Sequence, residues 1–310
     1  MLQATVNRRE EPDHHAARPP LPPLPKGGRF RDAAPRHAFA AFLLVVAATS
    51  NSQPGFAQPA GQGQDRKESL AALSKIAASF DVRLDDRRVA SRETEPALRW
   101  INTIGHATDA AMFVWVYDGR PVAVGSTFVT DGVVGQEFQS LATETLEVRR
   151  QGKVIWRPNE PGINFQRLAD APVPADSARQ RISQIKTLAR RFRAEAIKSP
   201  PAYQENDVRE LRLLTKPILQ YHDPKRPEDE GAIFAFAMDT DPDVLLLIEN
   251  RIRDGKAGWE YALARTNPYV LKVWCDDILV WSQKRLLSTT DVTHPYFIAG
   301  PYSLKHDAEP

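Results

Sequence analysis

Two apolar runs without a polar interruption, Ile233–Met238 and Val244–Ile248, are separated only by Asp239-Thr-Asp241-Pro-Asp243. A strand with one face in water alternates apolar and polar residues, whereas a continuous run is buried on both faces. The chain must therefore supply two covers for this hairpin. One is the stretch just upstream, Ala178 to Ile197, which reads as a helix with Ile182, Ile185, Leu188, Ala189, Phe192 and Ala196 on one face and Asp176 or Ser177 as its N-cap. The other cover is most simply a second sheet.

That second sheet is written in the chain. Ala232 to Trp281 reads as a five-stranded antiparallel meander, and Ala111 to Trp156 reads as a diverged copy of it. Phe113-Val-Trp115-Val-Tyr-Asp118 matches Phe234-Ala-Phe236-Ala-Met-Asp239, and Trp156 matches Trp281, each closing a short apolar run. Ser140-Leu141-Ala142 is set against Ala262-Leu263-Ala264, and Leu98-Arg99 against Leu211-Arg212. The helical stretch Asp65 to Phe80, with Leu70, Leu73, Ile76, Ala77 and Phe80 on one face, precedes the first meander as Ala178–Ile197 precedes the second. An ordered series of matches at a near-constant offset is the mark of a duplication. The expected fold is α+β: a tandem duplication of an α-helix followed by an antiparallel β-meander of about five to six strands. Turns are expected at Asp118-Gly119, Asp131-Gly132 and Gln151-Gly152. If the two sheets face each other, Phe113, Trp115, Phe234, Phe236 and Leu246 are expected to close the junction.

The domain reading follows. Residues 1–57 are a disordered n-region plus signal peptide, 58–64 a linker, 65–157 the first repeat, 158–177 a Pro-rich connector, 178–285 the second repeat and 286–310 a loosely held tail. Ala38 to Ala48 is an apolar run too short to span a bilayer as a helix, which takes about 20 residues. It suits a signal-peptide core, with basic residues before it and Gly55-Phe56-Ala57 as the cleavage site. The chain is therefore read as exported, to the periplasm or outside the cell, with cleavage near Ala57. An uncleaved N-terminal anchor is the alternative, and the mature chain is read as having no membrane span.

Formal charge bears on partners. The first 57 residues hold seven Lys/Arg and four Asp/Glu, so the remainder carries 34 basic against 35 acidic residues. A neutral body offers no basic face for nucleic acid. Its partner is read as an unknown protein or small ligand.

The search for chemistry assigns no catalytic, cofactor-binding or metal-binding residue. There is no G-x-S-x-G, H-E-x-x-H, Walker loop or G-x-G-x-x-G. His106, His222, His294 and His306 are scattered; the pairing that would signal an active site is His106 with Asp109 or Asp118. Asp239-Thr-Asp241-Pro-Asp243 opens like a calcium loop but has Val244 at the sixth position and Glu249 at the eleventh, so a hairpin turn is the expectation. Cys275 is the only cysteine, in an apolar strand, and is read as packing. Trp100, Trp115, Trp156, Trp259, Trp274 and Trp281 are read as core rather than as a sugar-stacking platform. The basic side of the second helix, including Arg179, Arg181, Lys186, Arg190 and Arg191, is read as solvated.

The segments LRLLTKPILQY, GAIFAFAMDTDPDVLLLIE and WEYALAR, with IKTLARRF, LRWINTIGHATDAAMFVWVYDGRPVAV and SLATETLEVRRQGKVIW, resemble an uncharacterised family of exported planctomycete proteins. The resemblance spans roughly residues 95–285. It implies export and the repeated architecture, and it transfers no activity and no catalytic residue. The leading functional expectation is a non-enzymatic extracytoplasmic binding or structural protein. Two alternatives stand beside it: a hydrolytic enzyme with a site between the repeats, and a carrier of a lipid or small apolar ligand.

Overall fold

The computed structural model describes residues 60–102, 107–130, 133–197 and 208–302. The segment read as a signal peptide, His106, His306 and the turn expected at Asp131-Gly132 lie outside them. The described chain is mostly β, with antiparallel sheets and two helices.

The first half runs α1 (Ala60–Ala78), β1 (Phe80–Arg83), β2 (Ser91–Arg92), β3 (Leu98–Asn102), β4 (Ala107–Tyr117), β5 (Arg120–Thr130), β6 (Val133–Ser140), β7 (Glu147–Arg150), β8 (Lys153–Trp156) and β9 (Gln166–Arg167). The second runs α2 (Ala178–Ala189), β10 (Phe192–Ile197), β11 (Val208–Leu213), β12 (Leu219–Asp223), β13 (Arg226–Met238), β14 (Asp241–Arg253), β15 (Lys256–Arg265), β16 (Val270–Cys275), β17 (Ile278–Gln283) and β18 (Tyr296–Tyr302). Each half thus has eight strands and a ninth, more than the meander read from sequence. The short pieces β2 and β11 lie in charged stretches whose apolar period is too brief to read, while β1 and β10 take Phe80, Phe192 and Ala196 from the expected helix faces.

The registers of the halves run in step. Trp115 pairs with Ala123 and Phe236 with Val244, and each ladder slips by one residue just beyond, before the turns at Asp118 and Asp239. Leu98 faces Met112 as Leu219 faces Ile233. The row Val82–Val148–Trp156 matches Ala194–Val273–Trp281. Two sequence matches move. By pairing, Leu98 stands where Leu219 does, not Leu211, and Ser140 stands where Arg265 does, since they face Ala123 and Val244. Apolar residues recur often enough in these strands for a shifted match to look equally good.

The last strand of each half crosses over. β9 pairs with β15, and β18 pairs with β6. The sheet orders are β17-β16-β10-β11-β13-β14-β15-β9, with β12 on β13, and β18-β6-β5-β4-β2, with β3 on β4; β1-β7-β8 forms a small third sheet. The tail is thus held more firmly than its polar, Pro-bearing composition suggests: Tyr296 and Phe297 are buried and β18 closes an edge that β6 would otherwise expose.

Helix α2 also differs from expectation. Ser177 caps it, accepting from the Gln180 amide, but it ends at Ala189. Phe192–Ile197 alternates buried and half-buried as a strand. Phe-Arg-Ala-Glu-Ala-Ile satisfies period 2 as well as it extends the helical stripe, and pairing with β16 and β11 decides in favour of the strand.

Three apolar layers result. Leu73, Ile76 and Ala77 of α1 pack with Phe113, Trp115, Phe138 and Trp156; Ile185, Leu188 and Ala189 of α2 pack with Phe234, Phe236, Leu246 and Ile248. Between the sheets lie Met112, Val114, Val124, Leu141, Ile233, Ala235, Leu245, Leu247, Ala262 and Ala264. The junction is closed, but not by the residues named from sequence. Phe113, Trp115, Phe234, Phe236 and Leu246 all face the helices. A strand that is apolar on both faces gives no sign of which parity meets which layer. Truncating a large side chain in a helix–sheet layer, as in Phe234→Ala, is expected to cost about 3–5 kcal/mol in urea unfolding.

The turns carry the halves against each other. Asp118 and Gly119 have φ of 49° and 73°, and Gly119 lies so close to the next half that an added Cβ would sit 2.2 Å from the His222 carbonyl oxygen. Across the junction, Thr240 at the corresponding turn donates its hydroxyl to the Ile101 carbonyl at 2.9 Å. Gly119→Ala should therefore lose about 2–3 kcal/mol through backbone strain and a displaced hairpin, against about 1 kcal/mol for Gly152→Ala, where positive φ (75°) is the only cost.

Candidate functional site

Among the described residues, those singled out by sequence do not converge. Asp109 is held by Arg99, at 2.9 and 2.6 Å, and by the Ser69 hydroxyl at 2.5 Å. Asp118 lies at the far end of β4 and pairs with Lys225 at 2.6 Å. His222 is exposed. His294 accepts the Tyr296 amide on Nδ1 at 3.0 Å. The Asp239–Asp243 segment is the hairpin turn expected, with Asp243 accepting from the Met238 amide and from Asn267. No cluster of His, Cys, Asp or Glu that could hold a metal occurs among the described residues. Cys275 is buried, and burial pushes its thiol pKa up. Trp115, Trp156 and Trp259 are core, and Trp274 lies under Arg193 at 3.9 Å. The basic side of α2 is partly committed: Arg181 pairs with Glu230 at 3.0 Å, and Arg191 with Asp276.

Three features of the interior carry charge or hydrogen-bonding capacity, and none was read from sequence. The first is Glu249, 1% exposed, which accepts two bonds from Arg120, at 2.7 and 2.6 Å, one from Tyr221 at 2.9 Å, and pairs with Arg251. Arg120 belongs to the first half and Glu249 to the second, so this knot ties the halves. Beside it lies a cleft of about 230 Å³ lined by Arg88, Tyr117, Arg120, Phe165, Tyr221 and Arg251. Its arginines are engaged: Arg88 bonds Asp85 and Glu144, and Arg251 lies over the Phe165 ring.

The second is Glu137 on β6. It is buried, accepts the Tyr296 hydroxyl at 3.0 Å, and faces Asp241 and Asp243. Burial, with the two aspartates, pushes its pKa up to about 8, against the bond from Tyr296. At neutral pH this carboxyl is protonated. The charged groups bordering it are those aspartates and Arg265, which acts on Tyr296.

The third is a cleft of about 360 Å³ where the crossing strands meet, lined by residues of both halves: Gln139, the 160–166 segment, Tyr261 to Arg265, Trp281, Gln283 and His294. Gly162 makes one wall possible, since a Cβ there would fall 2.0 Å from the Ser140 carbonyl oxygen. Arg265 is turned away into backbone, donating to Asn267, Tyr269 and Lys284 carbonyls at 2.9, 2.6 and 3.2 Å, and burial pulls its pKa down to about 10. Tyr261 donates to Gln166 at 3.0 Å. Polar residues spread over four segments leave no local motif, so only the Gln and Trp of β17 (LVWSQ) hinted at this site.

Fold and site define an antiparallel, helix-backed protein of two large sheets and one small one, with amphipathic clefts at the seam between its halves. No family model matches the chain, and no curated protein and no solved structure matches it. Among the described residues no helix is long and apolar enough to cross a membrane.

Proposed function

We propose that this chain is a non-enzymatic, extracytoplasmic binding protein built from two copies of a helix-plus-sheet unit, interlocked by their ninth strands. The duplication is supported by paired registers that keep step through both halves, by ladder slips at corresponding points in four ladders, and by the reciprocal crossing of β9 and β18. Export and kinship with the exported planctomycete family rest on the sequence segments quoted above.

The observation that carries the binding reading is how the polar capacity of the seam is disposed. The junction itself is filled with apolar side chains, and its strongest charges are spent on one another at Glu249. What faces the larger cleft is chiefly carboxamides and aromatic rings, groups that hold a ligand; Glu160 and His294, which could move a proton, also line it but make no hydrogen bond or ion pair with each other. The apolar-carrier reading is disfavoured because Leu73, Ile76, Phe113 and Trp115 on one side, and Ile185, Phe234 and Phe236 on the other, occupy the helix–sheet spaces.

A thermal-shift screen of small ligands, run beside chromogenic ester, glycoside, phosphoester and peptide substrates, tests it. The expected result is stabilisation without turnover; a ligand at 100 times its Kd raises unfolding free energy by about 2.7 kcal/mol. Turnover abolished by substitutions in either cleft would overturn the proposal. Export has its own test: residues 1–60 fused to a reporter should carry it out of the cytoplasm, and retention would refute that part.

A further inference from the structure

We propose that the 360 Å³ cleft at the crossing strands takes a neutral, hydroxyl-rich small molecule of mono- or disaccharide size. The inference deepens the binding reading above and rests on it. It begins with charge. Only two formally charged residues line the cleft, Glu160 and Arg265, of opposite sign, and the Arg265 guanidinium is committed to three backbone carbonyls. An anionic ligand would leave water without a counter-charge to receive it, and exposed Glu160 is the single carboxylate a cation would meet.

The polar lining is instead carboxamide. Gln139 on β6, Asn164 and Gln166 in the connector and Gln283 on β17 reach the same cleft from three parts of the chain. Each carboxamide has a donor and an acceptor end, which is the pairing a hydroxyl group, itself donor and acceptor, satisfies. Gln139 is 3% exposed; its nitrogen donates to the Ser140 carbonyl at 2.7 Å, and its oxygen has no partner within the protein. Buried amide oxygens are nearly always bonded, so an unmet one at a cleft wall points to a donor from outside. His294 adds another polar group, its Nδ1 held against the Tyr296 backbone, 3.0 Å from the amide and 3.2 Å from the carbonyl oxygen. An apolar ligand would strand these groups.

Trp281 and Tyr261 supply the remaining surface. Tyr261 is 5% exposed and packs on Phe192, so the accessible ring is half-buried Trp281, whose face suits the C–H face of a sugar while the amides meet its hydroxyls. The volume lies at the small end of ligand cavities, which run from about 300 Å³. The smaller cleft lacks this character, being lined by arginines already in ion pairs.

The test titrates the full chain with D-glucose, N-acetyl-D-glucosamine and maltose, read by calorimetry and by tryptophan fluorescence. Gln283→Ala, Asn164→Ala and Trp281→Phe alter the cleft without emptying the core; Arg88→Ala alters the other cleft. Saturable binding of at least one sugar is expected, weakened about three- to tenfold by each carboxamide substitution and unchanged by Arg88→Ala. Sugar binding that survives all three cleft variants overturns the site. Binding confined to charged probes (glutamate, phosphate) or apolar ones (decanoate) overturns the hydroxyl class and leaves the binding reading standing. Silence toward all three sets at about 50 mM, nearly saturating even for millimolar affinity, overturns both.

Discussion

Replacing Glu137 by Gln makes the protein more stable in alkaline buffer and nearly indifferent to pH across the range where the parent weakens. The carboxyl titrates near its usual 4.5 when unfolded and at about 8 when folded. Between those values the folded chain holds a proton that the unfolded chain has released, so stability falls as pH rises through the window and levels off above pH 8. The full effect is on the order of 5 kcal/mol, less whatever relaxation of the site recovers. Gln keeps an oxygen for the Tyr296 hydroxyl and turns a donor toward Asp241 and Asp243, the two groups that ionised Glu137 would repel. At pH 9 the variant should melt about 5–10 °C above the parent, and at pH 5 at nearly the same temperature. The difference between the two pH profiles is the quantity to measure, since other groups shape both. Parallel profiles would mean that no proton is stored at Glu137.

Ending the chain at Asp291 has the larger effect. The truncation removes β18, which pairs with β6 from Tyr296 opposite Gln139 to Tyr302 opposite Val134. It takes away Tyr296 and Phe297, 1% and 6% exposed, the second stacked on Trp156 with ring centroids 6.2 Å apart. Losing one such aromatic costs about 3–5 kcal/mol, so losing both with a full edge of ladder bonds approaches the 5–15 kcal/mol that holds a typical domain. The truncated chain should be insoluble or unfolded by circular dichroism. A peptide covering residues 292–302, added in trans, should restore part of the signal, because the groove beside β6 is built by the rest of the chain. A truncated chain that melts like the parent would show that β18 is dispensable.

The same crossing predicts the behaviour of the halves. Residues 58–176 and 177–310 expressed separately should each lack a closing strand, and co-expression should recover a soluble pair. Folding of either half alone, with the stability of the whole, would speak against mutual dependence.

How far the chain could be read before its structure depended on the range of each signal. The two-sided burial of Ile233–Met238 and Val244–Ile248 was legible because it is a local statement about sequence period, and the turns at Asp118-Gly119 and Gln151-Gly152 because few residues tolerate positive φ. The end of α2 was not, since one segment satisfied both periods. Nor was β18, whose strand character comes from the open edge of β6 rather than from its own composition. The Glu249 knot and the crossing-strand cleft were invisible for a related reason. Their members are separated by scores of residues and carry no spacing rule; Arg120 means little until Glu249 is beside it.

By itself, then, the sequence determined an antiparallel β-rich chain with two amphipathic helices, hairpins at defined positions and strands that need cover on both faces, because propensity, period and turn chemistry act over a few residues. Only the tertiary structure decided which face meets helix and which meets sheet, where each half sends its last strand, and which buried polar groups find one another. Those outcomes depend on competition among distant edges and layers for the same partners, and no local pattern records who wins.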